Sequence, residues 1–361
     1  MTTTIDDSTT SSTLSLPHWS YLTKHIPGIG GVIKQQPEDF VVEEIPAYLP
    51  TEEGEHLFLW IEKRDVSAED LLQHLAKSLR IRRRDIGAAG MKDRYAVTRQ
   101  YLSVPAKSEE FLPHVETDAI HVLNASRHRN KLKTGHSRGN RFSLLIREPN
   151  EQAETTAQQL FEIFERQGFP NYFGNQRFGY NGKTYKLGFR LLKGEESIRD
   201  IPPRRRRFLS RLALSAAQSF LFNQMLDFRI GTEIFKSVIL GDVMQVVQSG
   251  GLFTAEDLLI ITEQFRFENH ETIITGPMFG PKMKVAYGEP ARWEDELLFS
   301  HKLDESSFEK YSRLTSGTRR PYAVHPKDVH IKTEPEGLRL EFTLPKGVYA
   351  TSLLRELMKS E

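Results

Sequence analysis

A chain of 361 residues is longer than one hydrophobic core usually organises, so two domains are expected. With 38% hydrophobic and 27% charged residues the composition is that of a globular protein; no apolar run approaches a membrane span, and zero cysteines exclude a disulfide framework, a thiolate nucleophile and a Cys-bearing zinc site. The net charge of +1 argues at first against a nucleic-acid partner, but distribution matters more than the sum.

The first 16 residues, "MTTTIDDSTTSSTLSL", have neither the basic nor the apolar region of a signal peptide and read as a disordered tail, extended here to residue 18. With the lack of cysteine, this points to a cytoplasmic protein. "DFVVEEI" (39–45) and "HLFLWIEK" (56–63) have the β-branched and aromatic content of strands, joined by a loop containing Pro46, Pro50 and Gly54. "VSAEDLLQHLAKSL" then opens a helix, with Ser67 as N-cap, Asp70 at the third helical position, Val66 placed to pack on Leu71, and Leu71, Leu72, Leu75 and Leu79 as the buried stripe. Strands are expected at 96–104, 119–125 and 141–148, and a helix from about Asn150 through Ala157, Leu160, Phe161 and Phe164 to a stop at Gly168 before Pro170.

The basic charge comes in runs. "RHRNKLKTGHSRGNR" (127–141) carries Arg127, Arg129, Lys131, Lys133, Arg138 and Arg141 without one acid, and arginine runs stand at 82–84 and 204–207. A solvated face explains any single run; three on a nearly neutral chain make a phosphate-binding surface an equal reading. "GEESIRDIPPRRRR" looks like a linker, after which 208–229 shows helical spacing through Leu212, Ala216, Phe220 and Asn223. The stretch 231–320 is mixed, with Gly/Pro punctuation; Leu338, Leu340, Phe342 and Leu344 then alternate as a strand, and "ATSLLRELMK" closes as a helix. Together these elements predict an α+β fold with a largely antiparallel or mixed sheet.

No GxxxxGK[ST] loop, HExxH helix or GxSxG elbow is present, and His114, His121, His128 and His136 are too scattered to predict a metal site. In "GMKDRYAVTRQ" (90–100), the ordinary reading of Asp93 is a turn residue bonding to nearby backbone N–H groups. However, this stretch resembles the signature of the TruD family of tRNA pseudouridine synthases. "KQQPEDFVVEE" (34–44), "RHRNKLKTGHSRGNRF" (127–142), "NYFGNQRFG" (171–179), "SAAQSFLFNQ" (215–224) and "FTLPKGVYATSLLREL" (342–357) resemble the family's other blocks, in the family's order.

The resemblance implies a pseudouridine-synthase mixed or antiparallel sheet formed by 19–197 and 321–361, with an α+β TRUD domain inserted at 198–320. It implies isomerisation of uridine, at position 13 in the D arm of tRNA, by an enzyme needing no metal or cofactor. The family's nucleophilic carboxylate matches Asp93, acting on C1′ of the ribose or C6 of the base; Lys92 either supports that charge or points to solvent. Phe40 and Phe342 match active-site aromatics, Asn171 a substrate-contacting amide, and Lys34 a lysine that pairs with the nucleophile or a phosphate; Phe173 is expected to stack on the target base. Phe342 also lies on the apolar face of its strand and reads equally as core. The six basic residues of 127–141 are the expected phosphate contacts, tRNA the partner and a monomer the working form. The base that takes the C5 proton is unassigned. An RNA-binding factor on the same scaffold, a synthase with a broader RNA set and an RNA glycosidase remain as alternatives.

Overall fold

The structure, a computed structural model, describes residues 17–360, so of the tail expected at 1–18 all but residues 17 and 18 lie outside it. After a short β1 (Gly30–Val32), β2 (Phe40–Pro46) and β3 (His56–Arg64) form as their alternation requires. In α1 (Ala68–Ser78) Ser67 Oγ accepts the Asp70 N–H at 3.0 Å, a cap that contributes about 1 kcal/mol. Leu71 and Leu75 are its buried residues, and Val66 packs on the same cluster. There follow β4 (Gly87–Ala88), β5 (Val97–Pro105), β6 (Ile120–His128) and β7 (Ser137–Pro149). The start of β7 lies before the expected residue 141, because its pairing with β2 runs back to Ser137. Helix α2 (Ala153–Gln167) ends at Gly168, whose φ of +75° suits glycine.

Beyond β8 (Phe169–Pro170) lies α3 (Lys183–Lys193), a helix that sequence periodicity did not single out. Its mid-helix Gly188, which weakens the sequence signal, is there for packing: a Cβ at this position would stand 2.1 Å from the carbonyl oxygen of Ala213. That carbonyl belongs to α4 (Pro203–Gly231), which begins five residues before the expected 208. The arginines taken for linker are its first turn, led by Pro203 at a position where the missing N–H costs nothing. The chain continues through β9 (Val243–Val246), β10 (Leu252–Thr254), α5 (Ile260–Glu268), β11 (Thr272–Met278), α6 (Gly288–Ser300), β12 (Thr318–Pro321), β13 (Ala323–Val324), β14 (Lys327–Glu334), β15 (Gly337–Pro345) and α7 (Ala350–Met358). Among the described residues no helix is long and apolar enough to cross a membrane.

Two compact units share these elements. One comprises residues 17–22 and Pro170–Ala323, a range that contains the segment 198–320. Its antiparallel sheet has the order β10-β9-β11-β12, and α4 supplies much of its core through Leu214, Ala217, Phe220, Leu221 and Phe222.

The other unit, Thr23–Phe169 with residues 324–360, holds a nine-stranded sheet of order β14-β15-β7-β2-β5-β3-β6, with β1 on β7 and β4 on β5. Strands β2 and β5 pair parallel within this otherwise antiparallel sheet, so the fold is α+β with a mixed sheet. At one end of a sheet face Phe40, Val42, Phe142, Leu144, Leu340 and Phe342 pack beneath α2 and α7. At the other end Leu57, Leu59, Ile61 and Leu102 pack beneath α1. Each such side chain contributes roughly 1.5–3 kcal/mol on burial. Between these apolar patches, on the same face, lie the buried polar residues Glu44, Lys63, Thr98 and Gln100.

Candidate active site

Asp93 sits on the loop between β4 and β5, over this polar centre. The turn reading expects its carboxylate to take local backbone N–H groups; the hydrogen bond it makes is with Lys34 Nζ, at 3.1 Å. Lys34 holds a left-handed backbone (φ +58°), and its ammonium lies 4.0 Å from the centre of the Phe40 ring. The Asp93 side chain is 57% exposed, so the carboxylate is open to a substrate while paired on one side.

The loop's rigidity does not come from its glycine. Gly90 has no positive φ, and a Cβ there would meet nothing within 4 Å. Rigidity comes from hydrogen bonds to the sheet face below: Gln100 Nε2 donates to the Gly90 carbonyl at 3.4 Å, and Lys63 Nζ donates to the Asp93 carbonyl at 2.6 Å. The Asp65 N–H donates to the Ala96 carbonyl at 3.2 Å, and the Tyr95 hydroxyl to the Gln35 carbonyl, also at 3.2 Å.

Lys92 is the loop's anchor. Its ammonium donates to Asn140 Oδ1 and stands 3.6 Å from Glu44 Oε2, with both partners of that ion pair nearly fully buried. Burial pushes the Glu44 carboxyl up and the Lys92 ammonium down, each against the attraction of the other, as for a pair whose desolvation is only partly compensated.

Of the sequence-derived residues, the structure therefore brings Lys34, Phe40 and Asp93 together and takes Lys92 inward to Glu44. Phe342 lies in the core, 1% exposed and stacked on Phe142, whose ring in turn meets Phe40 edge-on.

Asn171 and Phe173 belong to the other unit and form a group of their own. The Asn171 amide is engaged twice, accepting from Arg320 Nη2 at 2.5 Å and donating to the Pro321 carbonyl at 2.9 Å. The Arg320 guanidinium lies 4.1 Å from the centre of the Phe173 ring, within cation–π range. Asn223 of α4 fixes the Phe173 backbone from both sides, accepting from its N–H at 2.8 Å and donating to its carbonyl at 2.9 Å.

The basic segment is divided in its engagements. Arg127 pairs with Glu109 at 2.7 Å, Arg129 with Glu53, and Arg141 with Glu43 at 3.5 Å, while Lys131 donates to the Arg84 carbonyl at 2.5 Å. Lys133 and Arg138 are exposed.

Sequence reasoning did not select Lys63, Glu44, Gln100, Asn223 or Arg320 for the site. Four of them carried a usable signal: Glu44 and Lys63 fall on the inward phase of their strands after Phe40 and Val42, and after Leu57, Leu59 and Ile61. Gln100 falls in line with Leu102, and Asn223 sits on the apolar stripe of α4 three residues after Phe220. A polar side chain in an inward phase must find a partner, and here the partners are the site's backbone or an anchor beneath it.

The chain is similar to known proteins along almost its whole length. The family model described as tRNA pseudouridine synthase D (TruD) matches residues 18–198 and 195–357. The chain is 41% identical to the tRNA pseudouridine synthase D of Anaeromyxobacter dehalogenans over 341 residues, 94% of this chain and 96% of that one. It is 41% identical to the protein of the same name from Thermus thermophilus over 347 residues, covering 95% and 93% of the two chains. A crystal structure from Methanosarcina mazei described under the TruD name superposes with a TM-score of 0.77 at 25% identity, covering 95% of this chain and 96% of that one. With a family model and relatives of this identity matched along almost its whole length, the chain belongs to the TruD family of tRNA pseudouridine synthases.

Proposed function

We propose that this chain isomerises a uridine of tRNA to pseudouridine, at position 13 of the D arm, with Asp93 as the nucleophile. The observation that carries the reading is the Lys34–Asp93 pair: an exposed carboxylate 3.1 Å from an ammonium, on a loop bonded to the sheet beneath it. A charged nucleophile held in place before substrate arrives lowers the cost of reaching the attacking geometry.

The Asp93 carboxylate adds to C1′ of the ribose, or to C6 of the base in the alternative route. The C1′–N1 bond breaks with its electron pair on the uracil, the base turns, and C5 bonds to C1′ as the carboxylate leaves. The C5 proton passes to a base and N1 gains a proton, so substrate and product are isomers and no co-substrate enters. Phe40 supports the Lys34 ammonium through its ring, and Phe342 backs it from the core through Phe142. Asn171 and Phe173 are buried, 2% and 7% exposed, with Arg320 against the Phe173 ring, so they contact the RNA substrate only when Arg320 moves aside. Lys133 and Arg138 contact phosphates, and Arg127, Arg129 and Arg141 exchange their carboxylate partners for phosphate oxygens.

The test incubates purified protein with unmodified tRNA transcripts and maps carbodiimide-dependent reverse-transcription stops. A stop at position 13, absent with Asp93→Asn although that variant still binds the RNA, is the expected result. Full activity in Asp93→Asn removes Asp93 as nucleophile, a stop only elsewhere corrects the position, an abasic product makes the protein a glycosidase, and binding without any stop makes it an RNA-binding factor.

A further inference from the structure

Lys63 is the last residue of β3 on the inward phase that begins with Leu57, Leu59 and Ile61, and it is 1% exposed. A buried ammonium is costly unless it is paired or fully hydrogen-bonded, and an apolar residue of similar volume would fill the same space at no such cost. Among the described residues no ion pair compensates it within hydrogen-bonding reach. Its Nζ is committed instead to two main-chain carbonyls, of Asp93 at 2.6 Å and of Val66 at 2.7 Å. Val66 lies just before the Ser67 cap of α1, so a single side chain ties the end of β3 and the start of α1 to the backbone of Asp93. Lys34 fixes the tip of the Asp93 side chain; Lys63 fixes its root.

We infer that Lys63 is a positioning residue for the isomerisation: its ammonium holds the main chain at Asp93 so that the carboxylate stands ready at the Lys34 pair. The inference rests on the reading of Asp93 as nucleophile. Charge-assisted bonds to carbonyls are roughly twice as strong as neutral ones, so the clamp weakens when Lys63 loses its proton. Burial brings that ammonium down to about 8, against the pull of Asp93 on the loop and Asp65 after β3, and with Lys92 pushing the same way as burial. Lys34 pairs with the side chain of the same Asp93.

Single-turnover conversion of a tRNA transcript at saturating enzyme, followed from about pH 6.5 to 9.5, tests this in wild type, Lys63→Met, Lys63→Arg and Asp93→Asn. Lys63→Met is expected to lose on the order of 10²-fold in rate, as a nucleophile displaced by about 1 Å does, with RNA affinity changed less than about twofold. The wild-type rate is expected to fall through an inflection near pH 8 that Lys63→Arg, charged throughout, does not show. Wild-type conversion by Lys63→Met while Asp93→Asn is inactive overturns the positioning role and leaves the nucleophile standing; an active Asp93→Asn removes the nucleophile whatever Lys63 does. If Lys63→Met fails to fold by thermal melting, the pH profiles decide, and the same inflection in wild type and Lys63→Arg overturns the inference.

Discussion

Glu43 and Glu44 are neighbours in sequence and lie on opposite faces of the nine-stranded sheet. On one face Glu62, Arg99, Glu43 and Arg141 form a row across β3, β5, β2 and β7 that alternates in sign: Arg99 Nε meets Glu62 at 2.7 Å, and Arg99 and Arg141 each meet Glu43 at 3.5 Å. These side chains are between 23% and 62% exposed, so water shares the work of solvating their charge. On the other face Glu44, Lys92 and Lys63 are buried beneath or within the Asp93 loop and answer to one partner or two. Glutamates one step apart along a strand thus join a surface ladder on one side and lie beneath the loop of Asp93 on the other. What separates them is access to water, which sets how much each loses when a partner is removed.

The largest test of that contrast is Lys92→Met. It leaves Glu44 a buried carboxylate without its counter-charge and is expected to cost about 3–5 kcal/mol in urea unfolding, most of it recovered by adding Glu44→Gln. A loss no greater than that of a ladder mutant would erase the difference between the faces.

Next comes a pH effect specific to the buried face. Burial raises the folded-state value of Glu44, so in the window between its ordinary 4.5 and that raised value the folded chain binds more protons than the unfolded one. Stability from this group is therefore fully present below the window and declines as pH rises through it. Glu44→Gln should flatten that part of the stability curve, whereas Glu43→Gln should leave its slope in place.

The smallest effect belongs to the ladder. Arg99→Ala is expected to cost about 0–1 kcal/mol, screened further by added salt, and to leave pseudouridine formation unchanged. A large loss of activity in this variant would mean that the solvent face couples to the loop after all.

Part of the candidate site is legible in the chain alone. Lys34, Phe40 and Asp93 belong to matched family blocks, and the structure brings all three together. Ser67, Gly168 and the alternations of β2, β3 and β15 marked their elements because capping, left-handed backbone and period-two burial are local properties. The start of α4 was misread because four consecutive arginines look like linker, although Pro203 already satisfied the rule for a first helical turn.

The sequence by itself thus determined which residues face inward and which loop carries the carboxylate, since strand phase and short-range signals are written in adjacent residues. Only the tertiary structure decided what holds that loop. The hydrogen bonds from Lys63 to Asp93 and from Gln100 to Gly90, and the ion pair of Lys92 with Glu44, join residues 30, 10 and 48 positions apart. Phase shows that a buried polar group needs a partner; which distant carbonyl or carboxylate supplies it depends on how the strands are ordered in the sheet. "GMKDRYAVTRQ" carries the candidate carboxylate, and the face of the sheet below it bonds to the main chain of that loop.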